Sequence, residues 1–353
     1  MNRSRDIFTA LMAVFLGLVA GAIFMALSGA NPFAGFYYMF RGGLMNIERI
    51  GNTLATATTL VLTGLSVAFA FRTGLFNIGA AGQMLIGGLV ATMMALSNNG
   101  ALPKFLFIPL VLICAMLGGA LWAAIAGFLK ARFNVHEVVA TIMTNWLAFW
   151  IVYYVIPAYF KGKLETESAR IPFESSMKLD WLTNLFNGSY INFGVFVALA
   201  ATAVIAVILN KTVLGYELKA VGFNRHAAEY AGINVSRNVT LAMAISGALA
   251  GLAGATYYIG YAVNMQIGIL PTAGFDGIAV ALLGANSPWG VLASALFFGL
   301  LHSGKGFMNA MTKIPPQIGD TIIATIIYFA ATSILFVRLY DFLKKKLKKE
   351  VKA

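Results

Sequence analysis

FDGIAVALLGANSPWGVLASALFFGLL, residues 275–301, is the stretch that decides the fold. Two apolar runs flank Asn286-Ser287-Pro288, so the stretch counts either as one interrupted membrane crossing or as two short ones. A transmembrane helix needs about 20 apolar residues, because lipid offers the backbone no hydrogen-bond partner. Seven upstream runs qualify: Ile7 to Leu27, Leu54 to Phe71, Leu75 to Leu96, Phe105 to Leu129, Val138 to Phe160, Tyr190 to Leu209 and Val239 to Val263. Ile318 to Leu339 follows the broken stretch. Lys and Arg beside spans stay preferentially in the cytoplasm, and the tail over 340–353 carries Lys344, Lys345, Lys346, Lys348, Lys349 and Lys352. With the N-terminus inside, a single crossing by residues 275–301 would strand that tail outside. Two crossings bring it in.

The sequence therefore predicts an all-α integral membrane protein of about ten spans. It forms one transmembrane domain over residues 1–353, with both termini cytoplasmic, an extracytoplasmic loop over 161–189 and a cytoplasmic segment over 211–238. This arrangement places 16 of the 25 Lys and Arg residues inside: the six tail lysines with Arg3, Arg5, Arg72, Lys130, Arg132, Lys211, Lys219, Arg225, Arg237 and Arg338. Each half of the broken stretch holds about 13 residues, only ~20 Å of helix. Two short or discontinuous segments are thus expected, and such backbone is tolerated only beside protein or a water-filled cavity. Two small-residue stripes, Gly17-x-x-x-Gly21 and Gly247-x-x-x-Gly251, predict close helix packing within the chain.

Composition narrows the function classes. Hydrophobic residues make up 59% of the chain and charged ones 11%, a mix that no soluble fold could bury. The formal charge of +12 would suggest nucleic acid in a soluble protein, but here the charges sit between spans, so no nucleic-acid partner is expected. The single cysteine, Cys114, builds neither a disulfide nor a thiolate cluster, and the three histidines, His136, His226 and His302, are scattered; no metal site is expected. Gly299 to Gly306 resembles a phosphate loop but has Gly306 in place of the magnesium-holding hydroxyl, and no strand precedes it. His136-Glu137-Val138-Val139-Ala140 starts like a zinc-protease helix and lacks the second histidine. No catalytic set emerges. Ionisable residues at membrane depth, which ion-coupled carriers usually keep, are nearly absent: Asp276 and Asp320 lie near span ends and Glu137 beside one.

One cytoplasmic segment calls for a partner. Asn224 suits a helix N-cap and Gly232 a C′ position, bracketing seven residues, Arg225 to Ala231. Seven are too few to stay helical alone in water. Ala227 and Ala228 permit close approach, with Arg225, Glu229 and Tyr230 around them, which fits an element that docks on a motor subunit; a loop lying on lipid headgroups is the competing reading.

Four blocks carry a resemblance: Gly74-Leu75-Phe76-Asn77-Ile78-Gly79-Ala80-Ala81-Gly82-Gln83-Met84-Leu85-Ile86-Gly87; Val135 to Asn145; Gly222 to Ile233; and Gly274 to Gly284. In this order the chain resembles the permease subunits of ABC importers for simple sugars, nucleosides and branched-chain amino acids, with the nucleoside branch the nearest. The resemblance implies alternating access in a bacterial cytoplasmic (inner) membrane and a nucleoside solute. It also implies a separate cytoplasmic ATPase that uses the ATP, a second and different permease (or a second copy), and an extracytoplasmic substrate-binding lipoprotein. The chain itself is then no enzyme and carries no cofactor. ATPase coupling falls to Gly222, Asn224, Arg225, Ala227, Ala228, Glu229 and Gly232. The translocation path is expected to involve Asn77, Gln83, Asn145, Trp146 and Asp276: the amides with Trp146 suit a flat base and a hydroxylated sugar, while hydrogen bonding between helices is the competing role for each amide. Departures from the family pattern are Ala81, where Glu is frequent, and Ala285-Asn286, where a basic residue often precedes Asn. A faint echo of Gly74-Leu75-Phe76-Asn77 in Gly274-Phe275-Asp276 suggests two inverted halves. A self-contained ion-coupled carrier and a sugar permease are the alternatives.

Overall fold

A computed structural model describes residues 3–98 and 100–332 of the chain. The basic tail over 340–353, Arg338 and the end of the last predicted span lie outside the described residues. The elements are helices: α1 (Arg3–Leu27), α2 (Pro32–Leu44), α3 (Ile47–Arg72), α4 (Ala80–Ser97), α5 (Lys104–Phe133), α6 (Glu137–Tyr159), α7 (Asp180–Leu185), α8 (Gly194–Lys211), α9 (Val213–Phe223), α10 (Arg225–Tyr230), α11 (Val235–Ala255), α12 (Thr272–Leu283), α13 (Pro288–Thr312) and α14 (Pro316–Ala331). Among the described residues eight helices are long and apolar enough to cross a membrane, and α12 is a shorter apolar one. The chain is an all-α, multi-pass membrane protein.

The broken stretch resolves into two helices of unequal length. α12 has 12 residues, about 18 Å of helix. α13 has 25, because the polar run His302-Ser303-Gly304-Lys305 stays helical as far as Thr312. That run has an inward-facing side and so did not need to be apolar. The turn between them is tight, with Ala285 and Asn286 both at positive φ (51° and 52°). The other discontinuity precedes α4. Residues 74–79 look apolar in sequence, yet Gly74 at φ 73° breaks the helix and α4 starts only at Ala80. α2, unforeseen because it is only 13 residues long and contains Arg41 and three glycines, lies along α13, where a Cβ at Gly42 would meet Phe307 and one at Gly304 would meet the Met39 carbonyl.

α3 is the axis of the bundle, with nearly every residue from Ala57 to Ala70 buried, and α11, α12 and α13 pack on it. Both glycine stripes are used inside the chain. A Cβ at Gly17 or Gly21 would strike Ile326 or Ile322 of α14, and one at Gly251 would fall 2.2 Å from the Ala115 carbonyl oxygen of α5. These contacts run α1 antiparallel to α14 and seat α11 against α5.

The two copies of the sequence echo adopt different backbone, Gly74 in a turn and Gly274 within α12. What the halves share is a helix start inside the bundle. The first turns of α4 and α12 abut so closely that a Cβ on Gly274 would lie 2.4 Å from the Ala81 Cα, so a large residue at position 81 would not fit this packing.

The bundle has two ends. At one, α9 and α10 gather with the end of α3 and the α12–α13 turn. At the other, residues 161–193 fold over the helix ends, with Ile171 N–H donating to Val263 O, Met177 N–H to Ile259 O and Ser168 N–H to Met265 O, each at 2.9 Å.

Candidate functional site: a polar cavity and a short docking helix

Three of the predicted path residues hold the start of α4 in place. Asn77, Gln83 and Asn145 are all buried. Asn77 and Gln83 exchange amide hydrogen bonds, Asn77 Nδ2 to Gln83 Oε1 at 2.9 Å and Gln83 Nε2 to Asn77 Oδ1 at 3.1 Å. Asn77 Oδ1 also accepts the Gly79 N–H, and its Nδ2 reaches Ser246 Oγ on α11 at 2.8 Å. Asn145, from α6, accepts the Gly82 N–H at 2.8 Å and donates to Ile78 O at 3.0 Å. It thus caps the first turn of α4 from another helix, taking up one of the N–H groups every helix start leaves open. Trp146 turns the other way, half-exposed on the outer face of α6 beside Phe149.

Asp276, the fifth residue, lines a cavity of about 450 Å³. Its walls come from five elements. α3 contributes Asn52, Thr56 and Thr59, a polar stripe at i, i+4 and i+7; α13 contributes His302 and Ser303; Thr272 and Asp276 come from α12. Arg49, Tyr190 and Pro316 line it at the end away from α10. The aromatic wall is Tyr190, Tyr257 and Tyr261. Tyr257 and Tyr261 stack at 5.6 Å and 21°, and Tyr190 meets Tyr261 at 5.3 Å. Both α11 tyrosines stand on a π-helical stretch, Thr256–Ala262, that continues the helix. Such single-turn widenings recur at functional sites. Asp276 and His302 face each other, Oδ2 to Nε2 at 3.4 Å, and the imidazole nitrogen has no hydrogen-bond partner. Lys305, one turn further on, is paired with Asp320 of α14.

The sequence offered a usable signal for the threonine stripe, whose helical spacing marks one face of an apolar span. It offered none for the tyrosines, which sit in an apolar run where aromatic residues are ordinary packing. His136 and Glu137 have structural roles: His136 accepts the Val138 N–H at the start of α6, and Glu137 pairs with Lys130 at 3.0 Å across the α5–α6 turn. Gly299 to Gly306 is helical, part of α13.

At the other end, Asn224 caps α10, accepting N–H groups of His226 and Ala227 at 3.0 and 3.1 Å. Gly232 follows at φ 81°. The helix is one residue shorter than expected, with Ala231 as its cap, and α9 extends just before it. Arg225, Ala227, Glu229 and Tyr230 are exposed, Tyr230 to 95% and the neighbouring Phe223 to 89%. Ala228 instead faces inward, 3% exposed and part of the apolar core. A bulky charge there would therefore disturb the chain's own packing before it met a partner. The α8–α9 corner is pinned by Lys219, whose ammonium donates to the Leu209 carbonyl oxygen. Desolvation, with the positive charge of Arg72 adding to it, holds its pKa below the usual lysine range.

The cavity and α10 are joined by a short run of contacts. Gly222, at the end of α9, lies against Arg72 and Gly74, where a Cβ would come within 2.4 Å of the Arg72 carbonyl oxygen. Arg72 Nε donates to Asn286 O at 2.9 Å, in the turn that ends α12, the helix bearing Asp276.

Against known proteins, residues 49–331 match the family described as the permease component of branched-chain amino acid transport systems. The chain is 40% identical over 347 residues to the guanosine ABC transporter permease protein NupP of Bacillus subtilis, covering 98% of this chain and 99% of that one. It is 39% identical over 341 residues to the nucleoside ABC transporter permease protein NupB of Lactococcus lactis subsp. cremoris, covering 95% and 93%. A second guanosine permease protein of B. subtilis, NupQ, is 30% identical over 261 residues, covering 71% of this chain and 79% of its own.

Proposed function

From its membership of the family of branched-chain amino acid transport system permease components, we propose that this protein is the membrane-spanning permease of an ATP-driven nucleoside importer. The carrying observation is the 450 Å³ cavity with its tyrosine wall and polar floor. Pockets of some 300–1,000 Å³ with a few placed polar groups are the usual size for small solutes, and stacked aromatic faces suit a nucleobase. The nucleoside and guanosine permeases that match nearly the whole chain support the same solute class.

The path runs through the Asp276 cavity, while Asn77, Gln83 and Asn145 hold the break before α4 in place beside it. The α10 end faces the cytoplasm, where an ATPase subunit docks on Arg225, Ala227, Glu229 and Tyr230. Its movement passes through Gly222, Arg72 and Asn286 to α12, opening the cavity alternately to either side. A second permease subunit completes the channel; the two different guanosine permease proteins of one organism support a pair of unlike chains. Solute reaches the outer end from an external binding protein.

Reconstitution tests this. In proteoliposomes carrying the assembled transporter, guanosine uptake should require ATP and stop when the ATPase subunit is disabled. Uptake by this chain alone under a sodium or proton gradient would overturn the assignment in favour of a self-contained carrier.

A further inference from the structure

Building on that reading of the cavity, we propose that Asp276 and His302 are its solute-reading point, taking the vicinal hydroxyls of a ribose, so that the permease itself favours ribonucleosides over their 2′-deoxy counterparts.

The pair comes from two helices, α12 and α13, and each side chain is only 16–17% exposed. Beyond the 3.4 Å contact between them, neither has a hydrogen-bond partner among the described residues. His302 Nε2 has no hydrogen-bond partner, and among the described residues no N–H or O–H donates to Asp276. The nearby cations are engaged elsewhere, Lys305 with Asp320 and Arg49 over the Phe307 ring at 5.6 Å. An ionisable side chain inside a membrane bundle is costly and marks function. A buried polar atom left without a partner asks for an explanation.

The chemistry of the missing partner follows from what the pair offers. A carboxylate has two acceptor oxygens and no donor, and a neutral imidazole adds one donor or one acceptor. A vicinal diol presents two O–H donors at carboxylate spacing and oxygen atoms that can accept in turn. A carboxylate reading a ribose 2′-OH is a recurrent solution in nucleotide sites. A phosphate ester would set its charge against that of Asp276. The tyrosines Tyr190, Tyr257 and Tyr261, on the same cavity, supply the stacking surface for the base.

The test compares labelled guanosine with 2′-deoxyguanosine in the assembled transporter, with the external binding protein held constant so that its own preference cancels between variants. The unmodified protein should take up guanosine about tenfold or more faster, since sites built around a substrate hydroxyl reject analogues lacking it. Asp276→Asn, close in shape, should bring the two rates within about twofold by slowing guanosine, and Asp276→Glu should restore part of the ratio. His302→Gln should lower the ratio less and serves as the second variant. Melting temperature and recovery of the ATPase subunit should stay as in the unmodified protein. An Asp276→Asn ratio equal to the unmodified one overturns the inference. So does an equal fall in both rates, which leaves the cavity as the path but moves the reading point to the base edge. If Asp276→Asn and Tyr261→Ala both leave both uptakes unchanged, the cavity is not the path and the functional reading fails with it.

Discussion

The two polar regions of this bundle use similar side chains to opposite ends. Around Asn77, both atoms of the side-chain amide have partners, and the cluster is buried and closed. Around Asp276, a carboxylate and an imidazole stand beside a cavity with capacity to spare. Inside a membrane an unsatisfied polar group is costly, so the closed region stabilises the fold, while the open one is what the proposed solute would occupy. Burial alone does not separate them. The accounting of donors and acceptors does.

That difference gives each region its own failure. Asn77→Leu should have the largest effect on stability. It strips partners from Gly79 N–H and both amide groups of Gln83 at once, for a loss on the order of 4 kcal/mol at ~1–3 kcal/mol per orphaned group. The expected outcome is a collapse in the yield of folded protein and a melting transition too low to follow in detergent. A variant that melts normally would dissolve the distinction between the two regions.

Tyr261→Ala makes the converse case. The ring borders the cavity against Tyr190 and Tyr257, so its loss should cut nucleoside uptake by about tenfold, one aromatic contact being worth about 1 kcal/mol beyond its area. The melting temperature should fall much less than in Asn77→Leu. The exposed face of α10 is an open surface of another kind. Tyr230→Ala should leave melting unchanged within about 0.5 kcal/mol, as surface substitutions do, while lowering solute-stimulated ATP hydrolysis several-fold.

How much of this the sequence carries varies by region for physical reasons. Long spans were legible because lipid imposes a length and an apolar character, as at α5 and α11. The break before α4 was not, since Leu75, Phe76 and Ile78 read as span while Gly74 and Asn77 fix a turn. The end of α13 was missed because His302, Ser303 and Lys305 look like a loop until the bundle supplies them an inward face. The α10 caps were readable, Asn224 and Gly232 being local signals, but the inward turn of Ala228 was not, for it depends on how α9 and α10 seat on the core. In the cavity, Asp276 drew notice as one of the few acidic residues, placed near a span end. Tyr257 and Tyr261 could not, because facing a cavity rather than a neighbour is a property of the assembled helices.

The smallest expected effect probes the edge of the closed network. Ser246 has one hydroxyl proton, which goes to the Ser66 carbonyl oxygen at 2.7 Å, and it accepts from Asn77 Nδ2 at 2.8 Å. The 3.0 Å contact between the two hydroxyls therefore has Ser66 Oγ as its donor. Ser66→Ala removes that donor and leaves Ser246 with its proton placed and one lone pair filled, so the loss should stay below ~1 kcal/mol. Ser246→Ala instead orphans an Asn77 N–H in a fully buried site, for about 1–3 kcal/mol. Thermal melts of the two alanine variants should thus separate, with Ser246→Ala the lower, although both delete one oxygen atom from the same contact. Equal melts would mean that Asn77 finds another acceptor there, and that the closed region has the slack reserved here for the cavity.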